Sequence, residues 1–202
     1  MGKETRCTAH FEKQSSAGTL QHESDELRFR GDFRLKIPLK QITKALAKNG
    51  ELRVQWPEGE ARFELGEVAV KWADAINNPK SLLDKLGVKP DHIVSVIGID
   101  DEGFLADLNR RVPNLTSGKP ARDSDLVFFQ ADQPKQLEQL KKLAKTIQPT
   151  GAVWVITPKK RAEIADTVVI TAGKAAGLVD VKVARFSDSH TALKFVIPVG
   201  RR

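Results

Sequence analysis

The stretch HIVSVIGIDDEGFLADLNRR, residues 92–111, decides the fold. Its first eight residues are a near-continuous apolar run, the mark of a strand covered on both faces. The next residues, Asp100-Asp101-Glu102-Gly103, form a short polar turn. EGFLADLNRR then repeats apolar residues at helical spacing, with Phe104, Leu105 and Leu108 facing inward. Strand, tight turn and helix in that order is the unit with which an open α/β sheet begins. Such a turn is also where a nucleotide-binding domain places its phosphate loop.

Outward toward the C-terminus, the same alternation continues. SDLVFFQAD reads as a strand and QPKQLEQLKKLAKTIQ as a helix with Leu137, Leu140, Leu143 and Ala144 on one face. GAVWVITP is a strand, AEIADTVVITAGKAAGL a helix, and VDVKVARFSD with TALKFVIPV two closing strands. The polar loop VPNLTSGKPARD holds one short strand at most. Apolar strands separated by helices predict a mostly parallel sheet covered on both faces. Ser187-Asp188-Ser189-His190 suits an antiparallel hairpin at the sheet edge.

Toward the N-terminus the pattern is different. The first 16 residues lack a clear period and read as poorly structured. TLQHE and ELRFRG flank a turn at Ser24-Asp25, and FRLKIPL alternates with Phe33, Leu35 and Ile37 on one side. Asn49-Gly50 between ITKALAK and ELRVQW is a type I′ hairpin signal. Leu52, Val54 and Trp56 share a face, as do Ala61, Phe63 and Leu65 beyond the turn at Pro57-Glu58-Gly59. About six antiparallel strands result. The helix EVAVKWADAINN follows, with Val68, Trp72, Ala73 and Ile76 as its apolar stripe. Asn77-Asn78-Pro79-Lys80 is a linker, after which Ser81 caps a short helix ending at Gly87. The expected domains are an antiparallel β domain with a C-terminal helix over 17–78, and an α/β Rossmann-like domain with an antiparallel edge hairpin over 81–202.

Composition narrows the function classes. The 202 residues are 40% hydrophobic and 29% charged, the balance of a folded soluble chain. No apolar run approaches the roughly 20 residues that span a bilayer, and MGKETRCTAHFEK carries no secretory apolar segment. Cys7 is the single cysteine, which excludes an intrachain disulfide and a cysteine-based metal site. A cytoplasmic protein is expected. The net charge of +7 is mild and spread: residues 1–85 hold 15 basic and 13 acidic side chains, residues 86–202 hold 18 and 13. A nucleic-acid partner is not favoured. The chain has no tyrosine, and its three tryptophans sit in apolar strand or helix patterns rather than in a basic stripe.

The phosphate-loop reading fails on its residues. Gly98 and Gly103 do not give the Gly-x-Gly-x-x-Gly spacing. The three acids between them favour the helix dipole but repel a phosphate. No strand ending in a ribose-binding acid follows about 20 residues on; the chain there is SGKPARDSD. An adenosyl-sulfonium cofactor is cationic, so the acids alone do not exclude it. The cleft candidates are therefore Gly98, Asp100 and Asp101. The acids read as helix-start residues rather than metal ligands, and His10, His22, His92 and His190 lack metal-ligand spacing, so no metal is expected. Lys159, Lys160 and Arg161 follow a central strand at the edge where open α/β sheets place ligands. They are the candidates for anion binding, with the next helix expected to start near Ala162. No nucleophile elbow or Walker loop occurs.

Two resemblances add to this reading. LAKTIQPTGAVWVITPK and AAGLVDVKV, with the turns Gln148-Pro149-Thr150-Gly151 and Ala176-Gly177-Leu178, resemble the latter part of a class I methyltransferase core. More closely, KLGVKP, DLVFF, GAVWVITPK, AAGLVDVKV and TALKFVIP resemble an uncharacterised bacterial domain-of-unknown-function family with a shortened Rossmann-like domain. The N-terminal hairpins with their Trp-bearing helix resemble a bacterial pleckstrin-homology-type domain. These resemblances imply a degenerate methyltransferase-like fold in a non-catalytic binding or interaction protein, without cofactor, whose partner is a protein or an anionic ligand. The alternatives are an S-adenosylmethionine-dependent methyltransferase or relative, and an anion- or nucleic-acid-binding module.

Overall fold

Asn49 (φ 51°) and Gly50 (φ 78°) both adopt left-handed backbone, as a type I′ turn requires. They join strands β5 (Lys44–Lys48) and β6 (Glu51–Trp56). The computed structural model describes residues 3–23 and 25–201. Ser24, expected at a turn with Asp25, lies outside the described residues. The chain divides into two units, the first ending at Lys80 and the second starting at Ser81.

The first unit is one antiparallel sheet. Its other strands are β1 (Lys3–Phe11), β2 (Gln14–His22), β3 (Glu26–Arg30), β4 (Arg34–Pro38) and β7 (Gly59–Glu64). The order is β4-β3-β2-β1-β7-β6-β5. Seven strands replace the six expected, because residues 3–16, expected to be poorly structured, form strand β1 and the start of β2. Lys3–Phe11 pairs along its whole length with Gln14–His22, and then with Ala61–Glu64 of β7. The domain therefore starts well before residue 17. Alternation elsewhere behaves as the side chains dictate: Leu52, Val54, Ala61 and Phe63 are fully buried. Helix α1 (Ala69–Asn77) closes the unit. Its buried stripe is Ala69, Trp72, Ala73 and Ile76, while Val68, 40% exposed, belongs to a preceding 3-10 turn, Gly66–Val68.

The second unit opens with helix α2 (Leu82–Leu86), between the cap Ser81 and the left-handed Gly87. Then follow β8 (Val94–Ile97), α3 (Glu102–Arg111), β9 (Leu115–Ser117), β10 (Ser124–Gln130), α4 (Leu140–Leu143), β11 (Ile147–Pro158), α5 (Asp166–Ala175), β12 (Val179–Arg185) and β13 (His190–Val196). The sheet order is β12-β13-β11-β10-β8-β9. β9, β8, β10 and β11 run parallel, and β13 runs antiparallel to both of its neighbours. Residues on β10 alternate between two cores. Leu126 and Phe128 join Phe104, Leu108 and Trp154, while Val127 and Phe129 join Leu140, Val169 and Phe195.

Two expectations need correction here. The leucine-rich segment is mostly a 3-10 turn, Pro134–Gln139, with one α-turn after it. Leu137, Leu140 and Leu143 recur every three residues, the 3-10 repeat. Gln148-Pro149-Thr150-Gly151 is not a separate turn but the irregular start of β11, where the pairing with β10 slips between Ser124 and Leu126.

Candidate functional site

Between β8 and β10 the sheet changes its direction of growth. The chain goes from β8 outward to β9, then returns to lay β10 on the other side of β8. Open α/β sheets form ligand crevices at the carboxyl ends of such strands. A crevice of about 570 Å³ lies there, lined by Asp100, Asp101 and Gln130 from the strand ends, and by residues 186–190 from the β12–β13 turn.

Gly98 follows the end of β8 beside this crevice. Its φ of +71° favours glycine, and an added Cβ would stand 3.3 Å from the Gln130 carbonyl oxygen. Both requirements arise inside the fold, from the close approach of β8's end to β10's end. Asp101 caps α3: its Oδ1 accepts from the Phe104 N–H at 2.9 Å, and its carbonyl accepts from the Leu105 N–H at 2.9 Å. The helix N-terminus is thus served by the chain's own carboxylate. Asp100, exposed, stands beside it on the crevice wall.

The opposite wall is held by packing and by Lys159. Buried Phe186 meets the Phe104 ring edge-on with centroids 4.8 Å apart, and Phe104 meets Phe128 at 5.3 Å. The Lys159 ammonium donates to the carbonyls of Ser187 (2.7 Å) and Asp188 (3.3 Å), and its N–H donates to Ser189 O. Ser187 Oγ accepts from the His190 N–H at 3.0 Å, and His190 Nδ1 lies 2.8 Å from Ser189 Oγ. Arg185 pairs with Asp188 at 2.5 Å.

The three basic candidates are not brought together as one cationic set. Lys159 is turned to the 187–188 carbonyls. Lys160 occupies a left-handed turn (φ 61°) and is exposed. Arg161 donates to Asp132 O at 3.3 Å and stands 3.9 Å from Glu163. The helix expected near Ala162 starts at Asp166, after a 3-10 turn at Ala162–Ile164, so the triplet is not in its first turn. Among the described residues no group of three or more His, Cys, Asp or Glu is arranged to hold a metal ion.

Gln130 and the 186–190 wall were missed in the sequence reading. The signal existed: a strand parallel to the others ends at the crevice edge, so the turn after β12 must emerge there.

The second unit is an α/β domain of the Rossmann-like kind, with six strands and a crevice walled by its own last hairpin. The chain belongs to the family described as "Protein of unknown function (DUF3052)", whose model matches residues 83–199. No curated protein matches it. Among solved structures it is similar to a SAM-dependent methyltransferase from Aquifex aeolicus. That likeness has 14% identity over 62% of this chain and 93% of that one, with a TM-score of 0.48. A SAM-dependent O-methyltransferase from Thermotoga maritima gives 9% identity over 96% and 93%, TM-score 0.47. The N-terminal PH domain of human ARAP2 gives 11% identity over 38% of this chain and 76% of that one, TM-score 0.34. These are likenesses of fold alone. Among the described residues no helix is long and apolar enough to cross a membrane.

Proposed function

We propose that the second unit is a non-catalytic binding module whose crevice takes a cationic group of a protein partner, in the cytoplasm. The observation that carries this reading is the start of α3. Asp101 fills the anion position at the helix N-terminus, and Asp100 adds a second carboxylate to the same wall. A phosphate there would meet two carboxylates and an occupied cap. A lysine or arginine head would meet acceptors. The lone cysteine is consistent with a reducing compartment.

S-adenosylmethionine, which a methyltransferase-like fold implies, does not fit the residues present. The turn after β8 carries Gly98 followed by Ile99, Asp100 and Asp101, without the glycine pair that lets a ligand approach the backbone closely. β9 ends at Ser117 and is followed by Gly118-Lys119, with no acid to receive a ribose. Residues 186–190 wall the crevice.

Calorimetry of the full chain with S-adenosylmethionine, with NAD and with an arginine-rich peptide tests the reading. We expect no micromolar binding of either cofactor. The peptide should bind weakly, with affinity falling in salt and in Asp100→Asn. Stoichiometric micromolar binding of S-adenosylmethionine would overturn it. Binding of inorganic phosphate that is lost in Lys160→Ala would favour the anion reading instead.

A further inference from the structure

Lys182 of β12 and Lys194 of β13 are directly opposite in the antiparallel register, so their side chains leave the sheet on the same face. Both ammonium groups lie over one ring, that of Trp154, at 6.0 and 5.9 Å from its centroid. The ring is fully buried, and its Nε1 donates to Leu86 O at 3.0 Å. The two lysine stems therefore roof a rigid aromatic floor. Directly opposed like charges are destabilising, and no ion pair among the described residues neutralises either one.

The two lysines are not equivalent. Lys182 donates to the Lys85 carbonyl at 2.6 Å, near the end of α2, which anchors its head group. Lys194 has no such acceptor among the described contacts, is only partly exposed, and faces that fixed charge. Of the pair, Lys194 is the one whose charge is left without an acceptor.

We propose that Lys194 is an acylation site, reacting with anionic acyl donors of the acyl-phosphate class ahead of the exposed lysines. Burial first, and the Lys182 charge second, lower its basicity below that of an ordinary lysine. The neutral Nζ adds its lone pair to the acyl carbon. The bond from that carbon to the phosphate oxygen breaks, phosphate leaves with the bonding pair, and the proton on nitrogen passes to water. The product is an amide and inorganic phosphate. Lys182 attracts the anionic donor and faces the oxyanion that forms during addition. The amide carries no charge, so the product also removes the cross-strand repulsion.

Dilute acetyl phosphate added to the folded full chain at neutral pH, followed by peptide mass spectrometry over time, tests this. Lys194 should be acetylated several-fold faster than exposed Lys135 and Lys141. Lys182→Met should bring its rate down to theirs, and Lys182→Arg, which keeps the charge, should leave it fast. A Lys194 rate at or below that of the exposed lysines in the wild-type chain would overturn the proposal. So would a rate unchanged by Lys182→Met with the fold intact by circular dichroism.

Discussion

The first unit buries one face of each strand; the second buries both faces of its central strands. On the first sheet the uncovered positions carry charge pairs, such as Glu51 with Arg53 and Arg62, and His10 with Glu64 at 2.9 Å. On β10 and β11 there is no uncovered face. Phe128, Phe129, Trp154 and Val155 point to opposite sides and are all at most 1% exposed. The difference decides where chemistry can sit. A one-faced sheet can display side chains anywhere along its strands. Strands covered on both faces can display them only at their ends, where the crevice of the second unit lies, whereas its edge strand β12 is exposed along its length.

The largest test of this comparison is to open each core separately. Phe63→Ala in the first unit and Phe128→Ala in the second should each cost about 3–5 kcal/mol, since both rings are fully buried. Hydrogen exchange read by mass spectrometry should show protection lost in peptides of the mutated unit only. Loss across both units from either substitution would mean that residues 3–80 and 81–201 unfold together, and the comparison would be between two halves of one domain.

A smaller effect sharpens it. Each unit presses a phenylalanine ring onto a glycine. A Cβ on Gly173 of α5 would stand 2.2 Å from the Phe195 ring. One on Gly18 of β2 would stand 2.3 Å from the Arg30 carbonyl and 2.6 Å from the Phe29 ring. A ring can shift into a softer surrounding, whereas a carbonyl in a β ladder cannot. Both alanine substitutions should destabilise, by about 1–3 kcal/mol, with Gly18→Ala the more costly. Urea denaturation of the two variants ranks them, and a reversed order would show the second core to be the stiffer.

The two regions were also unequally legible. Wherever apolar residues alternate strictly, as in Leu52-Arg53-Val54-Gln55-Trp56, the sequence sufficed. It failed for β1 because the chemistry there is thin. In KETRCTAHF only Ala9 is fully buried; Cys7 and Phe11 flank it on the same side, half-buried, while Arg6, Thr8 and His10 take the other. Its apolar stripe is short and built on a cysteine and an alanine, and the strand is held as much by its backbone pairing with β2 and β7. In the second unit the central strands, the Ser81 cap and the Gly87 stop were readable, since each is local. The fate of Lys159 was not. Its partners, the carbonyls of Ser187 and Asp188, lie about thirty residues on, and only the return of β13 beside β11 brings them within reach. A run of three cations looks the same in sequence whether it awaits an anion or grips a loop.

The smallest effect concerns two carboxylates, one in each unit, whose pKa values are lowered by hydrogen bonds. In the first unit His10 holds Glu64 below its ordinary range. In the second, Asp84 accepts from Ser81 Oγ at 2.7 Å and, less strongly, from Arg111 at 2.9 Å, and its pKa falls from 3.8 to about 2. A folded pKa below the unfolded one means that the unfolded chain binds the proton more readily. The stability Asp84 contributes is therefore complete above about pH 4 and is lost as pH falls through 2. Solvent screens this exposed cap, so the change is modest. Asp84→Asn keeps the shape of the side chain and removes the charge, so it mimics the protonated acid. Urea denaturation of wild type and Asp84→Asn at steps between pH 4.5 and 2 should show a stability gap that narrows steadily toward pH 2. Glu64→Gln should produce its own narrowing gap, confined to the first unit's transition. If the Asp84 gap stayed constant over that interval, the carboxylate would be acting through shape alone, and the Ser81 cap would be no more electrostatic than a neutral one.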